Sequence, residues 1–229
     1  MRHYITKKAY LGISEFDITV CGEPVEHTGF VVDIAVLSEM FGAADLCVVD
    51  NFETTAYKFK LFWDKLEHCH PDVELFSLRR YNPRGQMNYH DTYYYKERVM
   101  KHTCIYDFCA AHRLHNEDLS DETNEKMFGK CNEVHGHNFQ LEITRGEPIT
   151  TEFDAYVKDC IIDRFDHKML NDCEEFDGRL PTTETFCEVV WELLKQDKDE
   201  PLYRIAIRET PKNYFEYYGV KGKDDDDVY

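Results

Sequence analysis

Apolar and polar side chains first alternate strictly at Glu15-Phe16-Asp17-Ile18-Thr19-Val20, and period two predicts a strand with one buried face. Gly22, Glu23 and Pro24 end it, and His27, Thr28 and Gly29 supply a turn. The apolar run Phe30-Val31-Val32-Asp33-Ile34 has strand length, and Asp33 is placed to cap a helix through Ala43 with Val36, Leu37 and Met40 on one face. Thr54 or Thr55 opens a second helix, in which Phe59, Phe62, Trp63 and Leu66 share a face. Residues 73–80 read as a strand. Tyr81, Asn82, Pro83, Arg84 and Gly85 are turn chemistry, and residues 91–100 read as a further exposed strand.

The second half begins with a strand over residues 103–112, followed by a polar, acidic excursion at 116–126. Alternation returns at residues 139–144, continuing a strand that carries His135 and His137, and Gly146, Glu147 and Pro148 end it. Phe153 and Asp154 lead into a helix through Arg164. Pro181-Thr182-Thr183-Glu184 has the form of a helix start before Phe186, Val189, Val190, Trp191 and Leu194. A last strand, residues 203–208, carries Glu209 and Thr210 at its end.

The halves match each other. Phe16, Gly22, Glu23 and Pro24 parallel Phe139, Gly146, Glu147 and Pro148; Val32-Asp33 parallels Phe153-Asp154; Thr54-Thr55 parallels Thr182-Thr183; and Trp63 parallels Trp191. The order strand, strand, helix, helix, strand in both predicts a tandem α+β chain. One copy occupies residues 1–100 and the other 101–220, with an acidic tail at 221–229 expected to be disordered. The shared positions are apolar or turn-forming. In the first copy Ser14 and Glu15 stand where the paired histidines do, Leu46 where His167 does, and Arg79 or Arg80 where Glu209 does. The first copy therefore reads as scaffold.

Charge narrows the function classes. A net charge of −18 argues against non-specific nucleic-acid and anionic-membrane binding, which need basic surface. No apolar run approaches the length of a bilayer span, and residues 1–8 lack a signal peptide's apolar core. Nine cysteines with no CxxC pair suit free thiols in a reducing cytoplasm.

The candidate chemistry sits at Lys130-Cys131-Asn132-Glu133-Val134-His135-Gly136-His137. On a strand, positions i and i+2 share a face, so His135 and His137 can hold one metal ion. His112 offers a third imidazole, and three neutral histidines with an open position form a catalytic rather than a structural zinc site. His68-Cys69-His70 has a metal-like composition, but Pro71 follows at once, and solvated residues after a helix are the plainer account. Cys109, Cys160, Cys173 and Cys187 read as packing residues.

Phe108-Cys109-Ala110-Ala111-His112-Arg113-Leu114, Leu119-Ser120-Asp121-Glu122-Thr123-Asn124, Phe128-Gly129-Lys130-Cys131, His135-Gly136-His137-Asn138-Phe139, Asp166-His167, Thr182-Thr183-Glu184 and Glu209-Thr210 occur in order. Together, over residues 103–218, they resemble the 6-pyruvoyl-tetrahydropterin synthase and 6-carboxytetrahydropterin synthase family. The resemblance implies a T-fold, with antiparallel strands and two helices on one face, closing into a β-barrel between the subunits of a homo-oligomer. It implies Zn²⁺ on His112, His135 and His137, and Cys131 as general base. Asp166 and His167 would form an acid–base relay, and Glu209 would accept hydrogen bonds from a pterin edge with Thr182, Thr183 and Glu184 beside it. The implied substrate is 7,8-dihydroneopterin triphosphate, a small molecule.

From there the family divides. Three residues separate Cys131 from His135, which resembles the carboxy branch. That branch loses triphosphate and acetaldehyde and gives 6-carboxytetrahydropterin for 7-deazaguanine (queuosine-type) synthesis. Residues 119–124 and 128–130 instead resemble the pyruvoyl branch. The spacing tips the expectation toward the carboxy lyase, with the pyruvoyl synthase as alternative. A zinc-containing pterin- or purine-binding protein without turnover is the rival from another class.

Overall fold

The computed structural model describes residues 3–11, 14–24, 26, 30–32, 35–38, 52–66, 73–82, 88–196 and 202–219. It divides into two compact units, Met1–Thr103 and Cys104–Tyr229. The architecture is α+β with antiparallel sheets, as the alternation predicts.

In the first unit β1 (His3–Leu11), β2 (Ser14–Gly22), β3 (Val73–Asn82) and β4 (Asn88–Tyr94) lie in that order, each antiparallel to the next. Phe16, Ile18 and Val20 of β2 are fully buried, which is the face the period-two reading assigns. Helix α1 (Phe52–Leu66) covers them with Phe52, Ala56, Phe59 and Trp63, an apolar stripe at helical spacing.

The sequence reading differs here at three points. Val31 and Val32 are buried at bends rather than in a strand, and Phe30 before them is exposed. Residues 91–100 do not form one strand: a turn at 95–98, with Arg98 in the left-handed region at φ 56°, separates β4 from β5 (Val99–His112). Helix α1 opens at Phe52, before either threonine. Residues 27–29, 33, 34, 39–51, 67–72, 83–87 and 220–229 lie outside the described residues, so the turn at His27-Thr28-Gly29, the cap at Asp33, most of its helix, Leu46, His68-Cys69-His70, the turn at Pro83 and the acidic tail do too.

In the second unit the sheet path is β5, β6 (His135–Arg145), β8 (Leu202–Thr210) and β9 (Asn213–Tyr217), with the two-residue β7 (Lys168–Met169) parallel to β5 at Ala110 and Ala111. The polar excursion expected at 116–126 contains helix α2 (Asp121–Phe128). Ser120 caps it, its hydroxyl accepting the Thr123 N–H. Helix α3 (Thr151–Val157) is prolonged by a π turn, Lys158–Ile162, and one more α-helical turn, Asp163–Phe165. Helix α4 (Thr183–Gln196) begins where the Pro-Thr-Thr-Glu signal places it, and Phe186, Val190 and Leu194 are fully buried on its inner face.

An aromatic cluster of Phe108, Phe139 and Phe186, with ring centroids 5.7–5.9 Å apart, joins β5, β6 and α4. Truncating any of these rings costs about 3–5 kcal/mol. The cluster forms the floor on which the histidines stand: His112 and His137 both contact the Phe139 ring edge-on. Among the described residues no helix is long and apolar enough to cross a membrane.

Candidate active site

β5 ends on His112, and β6 begins with His135 and His137, so two adjacent strands deliver three imidazoles to one point. Their ring centroids lie 4.5, 5.0 and 5.1 Å apart, and one ring nitrogen from each lies within 4.8 Å of the others. Backbone carbonyls orient two of them. The Nδ1–H of His112 donates to the Pro181 carbonyl at 2.7 Å, and that of His135 to the Glu133 carbonyl at 2.7 Å. A carbonyl can only accept, so each bond fixes the Nδ1–H tautomer and leaves the Nε2 lone pair free.

Glu209, at the end of β8, completes the group. The β6–β8 register, with Gln140 opposite Arg208, brings it beside the start of β6. Its Oε1 lies 3.4 Å from His112 Nε2 and 3.5 Å from His137 Nε2. The Thr183 hydroxyl donates to the same oxygen at 3.1 Å, and the Asn213 amide donates to Oε2 at 3.0 Å.

Three observations test the fit of a metal ion. The Nε2 atoms of His112 and His137 are buried without a hydrogen-bond partner, an arrangement that costs about 1–3 kcal/mol each unless something binds there. Burial holds both imidazoles below the ordinary histidine pKa, favouring the neutral form that ligates metal. With Zn–N bonds of about 2.0–2.1 Å, a tetrahedral zinc has ligand–ligand edges of about 3.3–3.4 Å. The Glu209 distances match that edge. Burial alone would raise the Glu209 carboxyl pKa, but the Asn213 hydrogen bond, the His137 imidazole and the Thr183 hydroxyl hold it below the usual range, so it stays ionised.

A second cluster consists of Cys109, Asp166 and His167. Asp166 Oδ1 accepts the Cys109 N–H at 2.9 Å and lies 2.9 Å from His167 Nδ1, while the His167 N–H donates to the Cys109 carbonyl at 2.5 Å. These bonds hold His167 at φ 58°, in the left-handed region a histidine seldom occupies. The Cys109 N–H and His167 depress the Asp166 pKa. The cluster opens on a 510 Å³ cleft lined by Cys109, His137, Asn138, His167 and Lys168.

The remaining expected residues are spread out. Cys131 is exposed, in a 3₁₀ turn, Gly129–Asn132, that directly follows α2. It belongs to neither cluster among the described residues. Thr182 caps α4, its hydroxyl accepting the Thr185 N–H at 3.2 Å, and Glu184 is exposed in that helix's first turn. Cys109, read from the sequence as packing, stands instead beside the relay. Strand parity carried the signal: Phe108, Ala110 and His112 are buried, so Cys109 points to the opposite face.

Residues 102–220 match the family model described as 6-pyruvoyl tetrahydropterin synthase. The chain belongs to this family. A 6-pyruvoyl tetrahydrobiopterin synthase of Drosophila melanogaster is 41% identical over 126 residues, covering 49% of this chain and 75% of that protein. One of Dictyostelium discoideum is 35% identical over 122 residues, covering 49% and 90%. A 6-carboxy-5,6,7,8-tetrahydropterin synthase of Bacillus subtilis is 31% identical over 109 residues, covering 41% and 74%. Among solved structures, Caenorhabditis elegans 6-pyruvoyl tetrahydropterin synthase is 34% identical, covering 52% of this chain and 95% of that one, with a TM-score of 0.48. The matched region is the second unit, which holds both clusters.

Proposed function

We propose that the second unit is a zinc-dependent tetrahydropterin synthase that converts 7,8-dihydroneopterin triphosphate to 6-pyruvoyl-tetrahydropterin with release of triphosphate. The observation that carries the reading is the convergence of His112, His135 and His137, two with orphaned Nε2 atoms, inside the family-matched region. The pyruvoyl product is favoured because the Drosophila and Dictyostelium relatives carrying that name are 41% and 35% identical, against 31% for the carboxy enzyme. The Cys131-to-His135 spacing favours the carboxy product, which stands as the second reading.

Zinc on the three histidines supplies Lewis acidity toward side-chain oxygens of the substrate. Cys131, as thiolate, removes a side-chain proton, after which the triphosphate departs. Asp166 orients His167 and stabilises its charged ring, so His167 exchanges protons with the same side chain. The position of Glu209 supports a role as an exchangeable fourth metal ligand, one that would yield or share its place with a substrate oxygen, rather than as pterin anchor. Thr183 then holds that carboxylate, and Glu184, next in the chain, is the carboxylate left for the amino-pyrimidine edge.

Cys131 is exposed and the His167 side chain is 79% exposed, which supports a site completed between chains of a homo-oligomeric barrel. The first unit, in which β1, β2, α1, β3 and β4 follow one another in the order that β5, β6, α4, β8 and β9 do in the second, would serve there as a tandem scaffold copy. In a turnover assay, zinc-loaded protein should release triphosphate from dihydroneopterin triphosphate, and Cys131→Ala should abolish release while retaining zinc. Tight pterin binding with no release by the wild type would overturn the enzyme reading in favour of a binding protein.

A further inference from the structure

Five described thiols besides Cys109 and Cys131 are buried or half-buried, and burial pushes the pKa of Cys104 and Cys187 up to about 12, where a thiol is inert. Cys109, itself half-buried, differs in what surrounds it. It lies on the sheet face opposite the aromatic core and lines the cleft shared with His137 and His167. Its Sγ, a carboxylate oxygen of Asp166 and a ring nitrogen of His167 all lie within 4.8 Å of one another. A thiol near an imidazole that a carboxylate orients in turn is the layout by which proteins activate a cysteine.

We infer that Cys109 is a second reactive thiol of the site, exchanging its proton with His167 in the same chain. The step is a proton transfer alone: the S–H bond breaks, an N–H bond forms at His167 Nε2, since Nδ1 faces Asp166 Oδ1, and a thiolate–imidazolium pair results, with Asp166 balancing the ring's charge. Asn138 tunes it. In the neutral state the thiol donates to Asn138 Oδ1 at 3.0 Å. A half-turn of that amide presents N–H to sulfur instead, the donor a thiolate requires. The backbone of Cys109 takes part as well, since its N–H and carbonyl are the bonds that hold Asp166 and His167 in place. In the proposed reaction, on which this role rests, Cys109 gives the relay an in-chain thiol partner, whereas Cys131 serves as the substrate base.

The test is timed alkylation of the zinc-loaded full chain with iodoacetamide, each cysteine being quantified by peptide mass spectrometry. Cys109 should react at least about tenfold faster than Cys104 and Cys187, because only thiolate is alkylated. His167→Asn should slow Cys109 by about fivefold or more, and Asn138→Asp should also slow it, with Cys131 unchanged in both. Zinc content equal to wild type certifies the fold, and His167→Gln replaces His167→Asn where that variant loses zinc. An unchanged Cys109 rate in the folded His167 variant overturns the proposal. In turnover, Cys109→Ser should lower kcat by about tenfold or more with KM nearly unchanged, and a wild-type kcat would remove Cys109 from catalysis. If the wild type does not turn over at all, the enzyme reading fails while the labelling still decides the Cys109–His167 pair.

Discussion

Glu209→Gln tests the composition of the metal site, because it keeps the side chain's shape and removes its charge. In the wild type, Oε1 lies 3.4 and 3.5 Å from two histidine Nε2 atoms, close to the edge of about 3.3–3.4 Å expected between ligands of one tetrahedral zinc. A neutral amide oxygen binds zinc weakly, leaving three imidazoles and an open position. Disturbing groups this close to a metal typically costs 10–100-fold in affinity, about 1.4–2.7 kcal/mol. Thr183→Val and Asn213→Ala each remove one hydrogen bond to the same carboxylate, so each should weaken zinc by less than Glu209→Gln. Competition against a chromophoric chelator measures all three affinities, and melting with and without zinc gives an independent reading. Wild-type zinc affinity in Glu209→Gln, combined with weakened pterin binding, would refute the reasoning and return Glu209 to the pterin edge.

Other consequences are smaller in scope. In the first unit Arg80 lies 3.1 Å from Asp91 Oδ2, and His102 Nδ1 lies 2.7 Å from Oδ1. Burial would raise the Asp91 pKa, but the His102 hydrogen bond and the Arg80 charge outweigh it and hold the pKa below the carboxylate range. Asp91→Asn should therefore cost about 2–4 kcal/mol at neutral pH in chemical denaturation. A depressed carboxyl pKa gives stability that is present above the unfolded value of about 3.9 and lost as pH falls through the folded value, so the difference between variant and wild type should begin to shrink near pH 4 and vanish only below the folded pKa. Gly219→Ala places a Cβ 2.4 Å from Trp191 Cζ2 at φ +77°, and should lower stability by about 1–3 kcal/mol in the same assay.

Local pattern revealed what depends on neighbouring residues. The i, i+2 spacing of His135 and His137 placed both on one strand face, and α4 starts within the Pro181-Thr182-Thr183-Glu184 signal. The buried face of β2 followed from period alone, as did Phe59 and Trp63 of α1 and Phe186, Val189, Val190 and Leu194 of α4, while the side chains of Phe62 and Leu66 lie outside the described residues. Features set by long-range pairing were less legible. Glu209 reaches the histidines only because β8 pairs with β6 in one particular register, which no spacing in the chain encodes. Val31 and Val32 carry a strand's composition but spend it on core packing, since burial and ladder pairing favour the same residue types. Helix α2 was hidden because its only buried residue is Asn124, whose amide bonds turn carbonyls rather than filling an apolar stripe. Cys109 was misread through composition, although counting strand parity back from His112 would have turned it outward.

Mass-spectrometric identification of what zinc-loaded protein makes from dihydroneopterin triphosphate tests the central claim most directly. The account predicts stoichiometric triphosphate and a product with the mass of 6-pyruvoyl-tetrahydropterin, lost together in Cys131→Ala. Acetaldehyde with 6-carboxytetrahydropterin would contradict the assigned product, and unchanged substrate would contradict the enzyme itself.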